Sequence, residues 1–121
     1  MAIIIAHKIK RREFKGGVIP LHDLELILGS FRAGIFTVIK GENLPKASRL
    51  VRIYATTVGG ARRIVYLVDV TNNDAFFLFY RTKNDKIGKN ISIQNPEFRK
   101  KLLSYLNLLD ADVEAGAVDV Y

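Results

Sequence analysis

Cysteine and tryptophan are absent from this 121-residue chain, methionine appears once and histidine twice. Without cysteine there is no disulfide scaffold, no cysteine-type zinc finger and no thiol nucleophile. The two histidines, His7 and His22, stand fifteen residues apart with no HxxxH or ExxH spacing, so surface or structural roles fit them better than metal ligation. Gly16-Gly17 and Gly59-Gly60 match neither a P-loop nor a dinucleotide fingerprint, and no Ser-centred nucleophile elbow occurs. A hydrolase of the usual metal or triad kind is not expected, nor is a cofactor. No apolar run approaches the ~18 residues that cross a bilayer. The stretch Ile3 to Ile5 is too short for a secretory segment and precedes positive charge rather than following it. The expectation is a soluble, cytoplasmic protein.

The chain is 49% hydrophobic and 26% charged, enough apolar surface for one compact core, so a single domain over residues 1–121 is expected. Its net charge of +7 is uneven. Residues 1–63 carry a net +8, residues 64–109 a net +3 and the last twelve residues a net −4. Basic residues gathered in particular stretches point to a polyanionic partner, most often nucleic acid.

Periodicity divides the chain into elements. Ala2 to Phe14 begins apolar and runs into His7, Lys8, Lys10, Arg11 and Arg12, which reads as a strand with a basic exit. Between Leu21 and Ile39, the three- and four-residue steps of Leu24, Ile27, Leu28, Phe31 and Ile35 predict one or two helices, although Gly29 and Gly34 weaken the pattern. Lys40 to Ser48 reads as a loop. Three strands follow, Leu50–Thr56, Arg63–Asp69 and Ala75–Thr82, broken by Val58-Gly59-Gly60 and by the turn chemistry of Thr71-Asn72-Asn73-Asp74. They predict an antiparallel meander. After the polar, basic stretch Lys83 to Gln94, Asn95 is a cap, Pro96 suits a first helical position and Glu97 suits the positive helix start. Phe98, Leu102, Tyr105, Leu106 and Leu109 would form the buried face of this helix. The acidic end, Asp110 to Tyr121, closes on a short strand from Ala117 and reads as an exposed terminus. The predicted class is α+β: an N-terminal strand and helices, an antiparallel meander, and a C-terminal helix.

A cluster of cations is tied to the meander. Arg52 shares a sheet face with Tyr54, Arg62 and Arg63 open the second strand, and Arg81, Lys83, Lys86 and Lys89 lie at or beyond the end of the third. Hairpin pairing should make Arg62 and Lys83 near neighbours. Cations neutralise phosphate and stabilise charge that develops on it, and a tyrosine, Tyr54 or Tyr80, can stack an unpaired base. The bland alternative is that these residues are solvated strand ends, with Arg52 snorkelling beside the core.

The order of these segments resembles the RelE/HigB-type toxins of bacterial and archaeal type II toxin–antitoxin modules. The resemblance rests on Val58-Gly59-Gly60-Ala61-Arg62-Arg63-Ile64-Val65, then Ala75-Phe76-Phe77-Leu78-Phe79, Lys83-Asn84-Asp85-Lys86 and Asn90-Ile91-Ser92. Arg52 in Val51-Arg52-Ile53 and the ending Ala115-Gly116-Ala117-Val118-Asp119-Val120 also look like the family's pattern. The similarity covers residues 48–121. Departures are Thr56-Thr57-Val58, where members often carry a lysine, and Asp85 in place of glutamate.

The resemblance implies a RelE-like fold, messenger RNA cleavage (usually on the ribosome) and neutralisation by a cognate antitoxin in a hetero-oligomer. Metal-free cleavage would proceed by attack of the 2′-hydroxyl on the adjacent phosphate. On that reading Arg62 and Lys83 hold the phosphate, Lys86 is a supporting cation, and Tyr80 or Asp85 moves or orients the proton. Tyr121 is an alternative, because related toxins place a functional tyrosine near the C-terminus. Arg52, Arg63, Arg81 and Lys89 complete the expected RNA-binding surface. Two competing readings stay open: a non-catalytic toxin-fold protein acting on a protein target such as gyrase, and a small basic RNA-binding module.

Overall fold

The computed structural model describes residues 1–121. Its architecture is α+β. In chain order the elements are β1 (Ala2–Ala6), α1 (His7–Glu13), a 3₁₀ turn (Lys15–Gly17), α2 (Leu21–Arg32), β2 (Thr37–Ile39), β3 (Ser48–Thr57), β4 (Gly60–Asp69), β5 (Asp74–Thr82), α3 (Pro96–Ala115) and β6 (Val118–Val120). The six strands form one sheet in the order β2-β3-β4-β5-β1-β6. The meander β2–β5 and the β1–β6 pair are antiparallel, whereas β1 runs parallel to β5. Twenty-five buried apolar residues make one continuous cluster. Tyr66 packs on Phe31 and donates its hydroxyl to the Ile27 carbonyl of α2 at 2.9 Å. Phe79, on the other face, packs against Phe98 and Tyr105 of α3. The sheet is therefore sandwiched between the two longer helices.

Four segments differ from the sequence expectation. The basic exit from β1 is helical. Lysine and arginine are good helix formers, and only Ile9 of α1 is buried, too little apolar content to reveal a period. No local side chain caps α1; instead Asp112 of α3 accepts the Lys8 N–H at 2.7 Å. The second helix stops at Arg32, where Gly34 takes a φ of 75° open to glycine without strain. Ile35 is thus left outside the helix, 81% exposed, and the chain continues into the short strand β2. The stretch between β5 and α3 is not merely polar, because Ile87 and Ile91 enter the core. Asn95 anchors it, donating from Nδ2 to the carbonyls of Lys86 and Asn90 while its Oδ1 accepts the Glu97 N–H.

The acidic end is also docked rather than free. Asp110 to Glu114 belong to α3, which ends at Gly116 in the left-handed region (φ 69°). The chain then turns back as β6 along β1. There Asp119 accepts from Lys10 Nζ at 2.8 Å and contacts His7 Nε2 at 3.1 Å. No helix is long and apolar enough to cross a membrane.

Candidate functional site

The hairpin register decides which cations converge. Tyr54 on β3 lies opposite Arg63 on β4, and Arg63 lies opposite Arg81 on β5. Directly paired residues share a face, so these three form a row across the sheet on the side that α3 covers lower down. The guanidinium carbon of Arg63 sits 4.0 Å from the Tyr54 ring centroid, and that of Arg52, two residues along β3, sits 5.1 Å from it. Both distances lie within cation–π range. Tyr54 remains 58% exposed.

Arg62 is on the opposite face, because successive strand residues alternate. It pairs with Ala55 and Thr82, which places exposed Lys83 one residue beyond, as the sequence suggested. The Arg62 guanidinium lies 5.8 Å from the Tyr80 ring, and its Nη1 donates to the carbonyls of Gly59 and Ala61 at 3.4 Å each. Tyr80 shares this second face. Its ring stacks on Phe14 and its hydroxyl donates to Asp23 at 2.6 Å. Burial, and then Asp23, push the Tyr80 hydroxyl up to about 12, which makes it a poor proton acceptor at neutral pH. The nine candidate residues thus do not make one cluster: Arg62 with Tyr80 faces α2, and Arg52 with Arg63 faces the side of α3.

Arg81 belongs to the Arg63 row, but its charge is already matched. Glu13, at the end of α1, has a fully buried side chain and binds Arg81 through both oxygens, at 3.0 Å from Nε and 2.7 Å from Nη2. The same carboxylate accepts the Tyr105 hydroxyl at 2.5 Å and the Tyr80 N–H at 2.8 Å. Burial alone would lower the Arg81 pKa, but the bonds and charge of Glu13, backed by Asp85, more than reverse that. Burial, with the Glu13 charge, in turn raises Tyr105. Arg81 is held rather than offered.

Asp85 is similarly occupied. Its carboxylate accepts the N–H groups of Ile87 and Gly88 at 2.9 and 3.1 Å and contacts Arg81 Nη1 at 3.4 Å. Partial burial pushes its pKa up, yet these donors together hold it below the ordinary carboxylate range. It shapes a turn whose Gly88 leaves no room for a side chain, since an added Cβ would meet the Thr82 carbonyl oxygen at 1.9 Å. From this turn Lys83, Lys86 and Lys89 project exposed and without ion pairs. Tyr121 is remote. It exchanges backbone hydrogen bonds with Ile3, which pairs with Ala75 at the far end of β5 from Arg81.

Sequence reading missed Glu13, Tyr105 and Asp23 as partners of the site. A signal existed for the first: Glu13 is the sole carboxylate between His7 and Lys15, among five lysines and arginines. The resulting surface is a rim of exposed or half-exposed cations at one end of the sheet, with the nearby carboxylates turned inward to brace it. No group of three or more His, Asp or Glu side chains is placed to hold a metal ion. No family model, curated protein or solved structure matches the chain.

Proposed function

We propose that the chain is the toxin of a type II toxin–antitoxin pair, a RelE/HigB-type endoribonuclease that cleaves messenger RNA in the cytoplasm, on the ribosome. The row of Tyr54, Arg63 and Arg81 with Arg52 beside it carries this reading: an exposed ring with two guanidinium groups over it, at the edge of a lysine-bearing turn. Arg63 and Arg52 would engage the scissile phosphate and stabilise charge as the 2′-hydroxyl, giving its proton to water, bonds to phosphorus and the P–O5′ bond breaks, leaving a 2′,3′-cyclic phosphate and a 5′-hydroxyl protonated from water, with Lys83 and Lys86 neutralising neighbouring phosphates. Arg62 would brace the hairpin turn instead of touching substrate. A cognate antitoxin with an acidic segment would cover the same cationic rim.

One observation favours a second reading, RNA binding without turnover. Of the two carboxylates bound to Arg81 in the row, Glu13 is buried under four hydrogen bonds and Asp85 Oδ2 is taken up by the N–H groups of Ile87 and Gly88. Controlled expression with primer extension on cellular messenger RNA separates the two. Growth arrest with new cleavage ends is expected for wild type and for Arg62→Ala, and both effects should vanish in Arg52→Ala/Arg63→Ala. Ends that persist in that double variant would remove the proposed site. Arrest without ends would replace the ribonuclease with a protein target.

A further inference from the structure

Where the last turns of α3 cross β4 and β5, near the turn that joins those two strands, a cavity of about 280 Å³ opens to the surface. Leu67 and Phe76, paired across the strands, line it together with Leu109 and Val113 of α3, and Val113 is left 46% exposed. The cavity lies on the face of Arg63 but at the other end of the sheet, roughly 20 Å along β4. Three carboxylates, Asp69, Asp110 and Glu114, also line it. None of them forms an ion pair, whereas Glu13, Asp85, Asp112 and Asp119 each meet a lysine or arginine. Asp69 is engaged by its own turn, accepting the N–H groups of Thr71 and Asn72. Asp110 and Glu114 instead oppose their own helix. They stand four residues apart on α3, where like charges repel. They also occupy its carboxyl end, which disfavours negative charge, and no basic residue in the last turn offsets them. Such a conflict at the mouth of an apolar cavity is one that a cationic partner resolves.

We infer that this cavity docks a basic segment of a partner protein. One large apolar side chain of the partner fills it, and lysine or arginine on either side of that anchor meets Asp110 and Glu114. Its volume lies below the usual ~300–1,000 Å³ of small-molecule sites and suits a single anchoring side chain. The carboxylates set the sign of the flanking charge. The inference does not depend on the RNA-directed reading, because these carboxylates repel nucleic acid and the two surfaces lie at opposite ends of the sheet.

The test is an NMR titration of the whole, isotope-labelled protein with a capped Lys-Lys-Phe-Lys-Lys peptide. Amide shifts should saturate and cluster around Leu67, Phe76, Leu109 and Val113, with the Arg63 end unmoved. Replacing the peptide's phenylalanine by alanine should weaken binding roughly 10- to 150-fold, the worth of one buried aromatic side chain. Asp110→Asn/Glu114→Gln should weaken it roughly 2- to 30-fold, as the loss of two exposed ion pairs would. That variant should melt no lower than wild type, since a repulsive pair is gone, which separates lost docking from lost fold. A peptide with glutamate in place of its lysines should not bind. Equal affinity for the glutamate or the alanine peptide would overturn the proposal, as would shifts scattered over the surface or no saturable binding by folded wild type.

Discussion

Glu13 is where the brace of the cationic rim is most exposed to test. Its buried carboxylate receives four hydrogen bonds: two from Arg81, one from the Tyr105 hydroxyl and one from the Tyr80 backbone. Glu13→Ala strands all three partners. Removing one member of a buried ion pair costs about 3–5 kcal/mol. Arg81 keeps 21% side-chain exposure and Asp85 as a second partner at 3.4 Å, so the lower end applies, about 3 kcal/mol. For a domain of this size that is a fall in Tm of roughly 10–15 °C. Glu13→Gln keeps the volume and an acceptor but loses the charge, and should cost about 1–3 kcal/mol. In a thermal-denaturation double-mutant cycle, Glu13→Leu with Arg81→Met should recover part of the loss, because the uncompensated charge is gone. A Glu13→Ala protein melting within about 3 °C of wild type, less than about 1 kcal/mol, would refute the carboxylate as the hub.

Two further perturbations probe the elements around it. Gly88→Ala should destabilise by about 1–3 kcal/mol, since the new Cβ meets the Thr82 carbonyl oxygen at 1.9 Å; an unchanged denaturation midpoint would mean that the turn does not pack on β5. Asp119 is held below the ordinary carboxylate pKa chiefly by the bond from Lys10, with partial burial opposing and His7 assisting. A depressed folded pKa gives stability that is present above the unfolded value near 4 and is lost as pH falls through the folded one. Wild type should therefore lose more Tm than Asp119→Asn on acidification below pH about 4, and parallel curves would show that the β6 contact contributes nothing.

How much of this was legible in the sequence depends on how each segment acquires its structure. The meander and α3 declare themselves locally, through β-branched and aromatic strands and through Asn95, Pro96 and Glu97 at the helix start. Elements that borrow stability from distant partners do not. The first turn of α1 is capped by Asp112, which lies 104 residues away. The strand β2 is three residues paired only with β3, and the acidic end reads as exposed until β1 is known to be its neighbour. Candidate residues can be named as a set, because charge and proximity to the hairpins are visible in one dimension. Their division between the two faces was not.

That division turns on two small features of backbone geometry. The β3–β4 hairpin closes at Thr57 opposite Gly60, and counting back from this two-residue turn puts Tyr54 opposite Arg63, so half of the row can be derived from the Val58-Gly59 turn alone. The β4–β5 hairpin misleads the same count. Starting from Asp69 opposite Asp74 and running regularly through Tyr66 opposite Phe77, it would bring Arg62 opposite Arg81 and leave Arg63 facing Tyr80. The register shift between Val65 and Tyr66 intervenes: Leu78 is the extra residue, fully buried, and every residue after it changes face. Arg81 consequently joins Arg63 and Tyr54 rather than Arg62, and Phe79 turns to meet Phe98 and Tyr105. An apolar run as uniform as Phe76-Phe77-Leu78-Phe79 gives no alternation from which a bulge could be read. One unpaired leucine thus places Arg81, and with it the Glu13 brace, on the face of Arg63 and Tyr54, the face that meets substrate in the proposed reaction.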